Sequence, residues 1–105
     1  MTQAQKNMDW SATEIAAVVR SYLDMLTLEL AGQQYSKSAF RDSLIEQLQG
    51  SRSKGSIEFK HCNISAVMQE LGFPSIQRYK RRANFQKSLV PEVDMPITLH
   101  PSLAQ

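Results

Sequence analysis

A chain of 105 residues, 42% hydrophobic and 21% charged, has the length of one domain with a real core and is too short for two. No apolar run approaches the roughly 20 residues that span a bilayer, and the opening MTQAQKNMDW lacks the basic-then-apolar order of a signal peptide. The net charge is only +2, but residues 1–50 hold four Lys/Arg against six Asp/Glu and residues 51–105 eight against four, an asymmetry that suggests a polyanionic partner.

Residues 1–9 form a polar leader. Trp10-Ser11-Ala12-Thr13-Glu14-Ile15 then has the layout of a helix start: Ser11 caps, Glu14 closes a capping box, and Trp10 and Ile15 occupy the two positions of a hydrophobic staple. Ile15, Val18, Val19, Tyr22, Leu23, Leu26 and Leu30 recur at three- and four-residue steps until Gly32 offers a left-handed stop. Residues 33–36 read as a loop. A second helix is carried by Phe40, Leu44, Ile45 and Leu48, capped by Ser36 or Ser38 and stopped by Gly50, with Arg41, Asp42 and Glu46 outward. Ser51-Arg52-Ser53-Lys54-Gly55 reads as a flexible basic loop.

Residues 56–71 predict a third helix, closed by Gly72 with Pro74 just beyond. A basic block, Arg78-Tyr79-Lys80-Arg81-Arg82, leads into a fourth helical pattern on Phe85, Leu89 and Val93. Residues 91–105 hold three of the four prolines and no periodicity, so residues 94–105 are expected to be a tail or linker. The fold class expected is all-α: a compact bundle of about four helices over residues 10–93, with a Pro-containing C-terminal tail.

The stretch Gly55-Ser56-Ile57-Glu58-Phe59-Lys60-His61-Cys62-Asn63-Ile64-Ser65 concentrates reactive side chains. As a strand, Glu58-x-Lys60 is half of a metal-dependent nuclease motif. Ile57, Ile64, Val67, Met68 and Leu71 instead fall in one arc over four turns, which favours a helix, and on a helix Glu58 and Lys60 face apart. A metal site at His61 and Cys62, or a Cys62 nucleophile with His61 as base, meets the same objection, since neighbours on a helix splay. Phe59, Cys62 and Ala66 lie opposite the isoleucine arc, so the helix reads as packed between others. Cys62 then reads as a small core residue and His61 as a hydrogen-bonded structural group beside the buried arc. Asn63 either bridges backbone groups at a crossing or faces a partner. No cofactor and no metal is expected, and the lone Cys62 suits a reducing cytoplasm.

Arg78, Lys80, Arg81 and Arg82 surround Tyr79, with Asn84, Gln86 and Lys87 on the next turn. Arginine forks match phosphate oxygens, and Asn, Gln and Arg read base edges, so a nucleic acid, in the first place duplex DNA, is the expected partner. Arg52, Lys54 and Lys60 would widen the positive surface. The same block also suits an acidic protein partner or plain solvation. The candidate contacts are Lys54, Arg78, Tyr79, Lys80, Arg81, Arg82, Asn84 and Lys87; a protein-interaction or self-association module is the alternative.

Trp10 with its capped helix, Glu29-Leu30-Ala31-Gly32, Tyr35-Ser36-Lys37, the run from Arg52 through Ile57 to Val67, and Leu71-Gly72 resemble a helical N-terminal module of bacterial multidomain proteins. In that group the module precedes HNH-type restriction endonucleases, including modification-dependent ones, or a C-terminal domain of uncharacterised function. The resemblance covers residues 9–93 and implies a non-catalytic accessory role in a DNA-directed defence protein, with no catalytic residue carried over. The family pattern has Gly-Tyr-Lys-Pro where this chain reads Arg78-Tyr79-Lys80-Arg81, so the added charge is a departure from it.

Overall fold

The computed structural model of the chain describes residues 10–77, 79 and 89–99. Four helices follow in order, α1 (Ala12–Leu30), α2 (Lys37–Gln47), α3 (Lys54–Glu70) and α4 (Leu89–Leu99), and the described residues contain no strand. The all-α bundle expected from the apolar spacing is the fold.

Local chemistry sets most of the boundaries. Ser11 Oγ accepts from the Glu14 amide at 3.1 Å, and the Ser11 amide donates to Glu14 Oε1 at 2.8 Å, which completes the capping box of α1. Its far end is closed by Gly32 at φ +73°, where the Gly32 and Gln33 amides reach back to the carbonyls of Glu29 and Leu28. Ser36, not Ser38, caps α2 by accepting from the Ala39 amide. Its stop differs from expectation. Gln49, at φ +57°, takes the left-handed position ahead of Gly50 and donates to the Glu46 carbonyl.

Helix α3 begins two residues earlier than its pattern predicts, because Ser53 Oγ accepts from the Ser56 amide and draws Lys54 and Gly55 out of the expected loop. Three cap-competent serines at 51, 53 and 56 hid that choice. The last helix, α4, runs from Leu89 to Leu99, and residues 100–105 of the expected tail lie outside the described residues. Pro91 is the third residue of this helix, where the missing N–H has no intrahelical acceptor anyway. Leu89 and Val93, 2% and 0% exposed, fasten the helix to the core, which offsets the backbone bond that Pro96 cannot make.

Helix α1 packs against all three others, α3 also touches α2 and α4, and α2 and α4 do not meet. Val18, Val19, Tyr22, Met25 and Leu26 give α1 apolar contact on several sides, as a central helix needs. In α3, residues 63–68 are all buried. Six consecutive positions at about 100° each exceed a full turn, so this half of α3 is enclosed on every side. Its first half is not. Phe59 is 43% exposed and Cys62 is half-buried, so the second apolar face expected along the whole helix is only partly covered.

Candidate nucleic-acid interface and its anchor

The reactive stretch on α3 resolves into separate structural contacts. Glu58 Oε2 accepts from Arg41 Nη1 of α2 at 2.8 Å, so Arg41 faces α3 and is not an outward residue as expected. Asp42, its other partner, is exposed. Lys60 lies with its Nζ 5.2 Å from the centre of the Trp10 ring. Glu58 and Lys60 therefore serve different neighbours, and the strand-borne nuclease geometry is not formed. Among the described residues no group of three or more His, Cys, Asp or Glu side chains is placed to hold a metal ion. Asn63 is 2% exposed, which removes the partner-facing alternative.

His61 is fully buried among aromatic rings, 5.0 Å from the centre of Tyr79 and 6.0 Å from that of Tyr22. Its Nδ1 lies 3.1 Å from the Tyr79 hydroxyl, as expected of a hydrogen-bonded structural histidine. Nε2 has no partner at hydrogen-bonding distance. Burial pushes the His61 pKa down to about 3, the nearby Lys37 charge pushes the same way, and the Val18 carbonyl opposes them. The ring is thus neutral. A neutral ring keeps one nitrogen as donor and one as acceptor, so Nδ1 either donates to the Tyr79 hydroxyl or accepts from it. Desolvation in turn raises the Tyr79 hydroxyl well above the usual phenol range.

Three polar contacts converge on the chain just after α3. The Ile76 amide donates to the Tyr22 hydroxyl at 2.9 Å, and that hydroxyl lies 2.6 Å from Ser65 Oγ. Having accepted from Ile76, the Tyr22 hydroxyl can either donate to Ser65 or accept from it. The Gln77 amide donates to Glu29 Oε2 at 3.1 Å, while Glu29 Oε1 accepts from the Tyr35 hydroxyl. The His61 bond to Tyr79 is the third. Ile76 and Tyr79, 1% and 4% exposed, add apolar anchoring at the same place. Tyr22, Glu29 and His61 lie 18 to 54 residues from the groups they hold, so nothing local in the sequence pointed to these roles.

This anchor changes the account of the basic block. Tyr79 is not a surface group: its ring is in the core and its hydroxyl is engaged, so it is withdrawn from the candidate contacts. Arg78, Lys80, Arg81, Arg82, Asn84 and Lys87 lie outside the described residues. Lys54 is exposed at the start of α3. Arg52 is not available to widen a positive surface, because its Nε and Nη2 donate to the two oxygens of Glu14 at 3.0 and 2.9 Å, with the guanidinium 4.7 Å from the Trp10 ring centre. Glu14 also accepts from Ser51 Oγ, and its pKa is lowered to about 2, first by Arg52. A cation from α2 packs on the Tyr79 ring. Lys37, the first residue of α2, holds its Nζ 4.2 Å from the centre of the Tyr79 ring.

Comparison with protein-family models, with curated proteins and with solved structures finds no match to this chain. No helix among the described residues is long and apolar enough to cross a membrane.

Proposed function

We propose that the chain is a non-catalytic, DNA-associated binding module that grips the phosphate backbone through its basic segment. Between Glu70 and Glu92 the sequence holds five Lys/Arg and no acid. The observation that carries the proposal is the anchoring of this segment. The chain enters it through Ile76, Gln77 and Tyr79, which are tied to α1 and α3 by three hydrogen bonds, and leaves it at Leu89, which is buried. A charged segment held at both ends loses less conformational freedom on binding than a loose tail does. Elsewhere the arginines Arg41 and Arg52 are matched by carboxylates. The module would then act in the cytoplasm as an accessory part of a restriction or defence protein, as the resemblance implies.

The test is titration of labelled duplex DNA with the whole chain at 50 and 200 mM salt. If about five phosphates are neutralised, affinity falls roughly 500-fold between the two conditions, and Arg81→Ala with Arg82→Ala flattens the dependence. Binding that is absent or insensitive to salt sinks the proposal. A second reading, a protein-interaction surface, is favoured by the 43% exposed Phe59 beside half-buried Cys62 on α3. Self-association that Phe59→Ser abolishes, without salt-dependent DNA binding, would put it first.

A further inference from the structure

Helices α1 and α2 do not close on one another along their whole length. Between them lies a cleft of about 280 Å³, lined from α1 by positions 17, 20, 21 and 24 and from α2 by positions 40, 43, 44 and 47, the same three- and four-residue stripe on each helix. Ala17, Ser21 and Ser43 are too short to fill the space that the larger side chains beside them hold open. The volume is just below the roughly 300–1,000 Å³ that takes a drug-sized molecule, so it suits a smaller one. Leu44, 2% exposed, and half-buried Phe40 give the cleft apolar surface. Ser21 is 8% exposed, and its hydroxyl is buried with no hydrogen-bond partner. A buried hydroxyl left unmatched is destabilising, and a polar ligand atom arriving beside it recovers that cost. At the rim, Arg20 and Asp24 are exposed and stand one turn apart on α1, and among the described residues neither is in an ion pair. Arg41 and Arg52, by contrast, are both engaged by carboxylates.

From this arrangement we propose that the cleft between α1 and α2 binds a small zwitterion, an α-amino acid with an aliphatic side chain. Arg20 takes the carboxylate and Asp24 the ammonium, the Ser21 hydroxyl gains the partner it lacks, and the side chain lies on Leu44 and Phe40. A monoanion would face the Asp24 carboxylate and a monocation the Arg20 guanidinium; only a molecule carrying both charges is attracted by both groups. Ser43 and Gln47, exposed on the α2 wall, offer further donors and acceptors to the charged end. The competing role for the cleft is a solvated groove with no preferred occupant. The proposal is independent of the DNA-binding reading and shares no residue with it.

The experiment follows the backbone amide resonances of the whole chain as glycine, L-alanine, L-valine or L-leucine is added to about 10 mM. L-leucinamide, which lacks the carboxylate, and 4-methylpentanoate, which lacks the amine, serve as single-charge analogues. The expected result is a saturable shift at Ser21 and Ser43 with at least one amino acid, at a Kd of about 1 mM or tighter, and binding of both analogues about tenfold weaker or worse. Arg20→Gln and Asp24→Asn, at exposed positions that leave the fold intact, should each weaken binding by about tenfold or more, the loss of one charge-assisted hydrogen bond. Ser21→Ala should weaken binding without lowering the thermal midpoint, because the hydroxyl it removes has no partner in the free chain. A lowered midpoint in that variant would make Ser21 a structural residue and overturn its role, and the two charge variants then decide whether the cleft binds. No saturable shift at these positions with any of the amino acids, or equal affinity for the single-charge analogues, overturns the proposal.

Discussion

The Tyr79 hydroxyl stands 3.1 Å from Nδ1 of His61, and this bond joins α3 to the entrance of the basic segment inside a fully desolvated aromatic cluster. Because the ring of His61 is held neutral, with its pKa lowered from 6.5 to about 3, stability is linked to pH. Below pH 6.5 the unfolded chain takes up a proton that the folded chain refuses until about pH 3. Stability is therefore fully present above pH 6.5 and declines on acidification, by about 2 kcal/mol at pH 5. Urea midpoints at pH 7 and pH 5 measure this, and His61→Leu should remove most of the difference. An equal loss in that variant would assign the acid sensitivity to other groups.

Tyr22→Phe removes one oxygen and leaves the buried Ile76 amide without an acceptor and Ser65 without its partner. The expected cost is about 1–3 kcal/mol, as for other orphaned buried donors, read as a lower urea midpoint at unchanged slope. A change of less than a few tenths would mean that water reaches the Ile76 amide. The Tyr22 phenol itself, pushed up to about 12 mainly by burial, should not ionise in the folded chain until well above its ordinary range.

Glu14 links a local cap to a distant loop. It receives the Ser11 amide from its own helix and Ser51 and Arg52 from the segment before α3. A double-mutant cycle of Glu14→Gln and Arg52→Ala should give a coupling of about 1 kcal/mol. Because the carboxyl is lowered from 4.5 to about 2, this contribution is present above pH 4.5 and is lost as pH falls towards 2. Zero coupling in the cycle would reduce the pair to a geometric coincidence.

Two turn positions with the same handedness carry opposite predictions. Gly72, at φ +83°, has open space where a Cβ would stand, so Gly72→Ala costs only the left-handed backbone strain, about 1 kcal/mol. Gln49 already bears that strain at φ +57°, so Gln49→Gly should stabilise by about 0.5 kcal/mol after the added freedom of the unfolded chain is deducted. Thermal unfolding of the two variants should shift in opposite directions; shifts of the same sign would contradict the assignment.

The helices were legible because their signals are local. Ser11 with Glu14, Ser36 and the Gly32 and Gly72 stops act within a few residues, and the spacing of Ile57, Ile64, Val67 and Met68 marks a buried arc whatever packs against it. What the chain alone determined, then, was an all-α bundle, a helical and not extended Glu58-x-Lys60, and a basic excess before α4. Tertiary structure decided which way the ambiguous side chains turn. Tyr79 goes inward to His61, Arg52 to Glu14, Arg41 to Glu58, and Lys37 to the ring of Tyr79, some forty residues away. An aromatic ring with a hydroxyl or a long charged chain suits either the surface or the interior. The choice is made by whether a distant partner offsets the loss of water, and no local pattern encodes that partner.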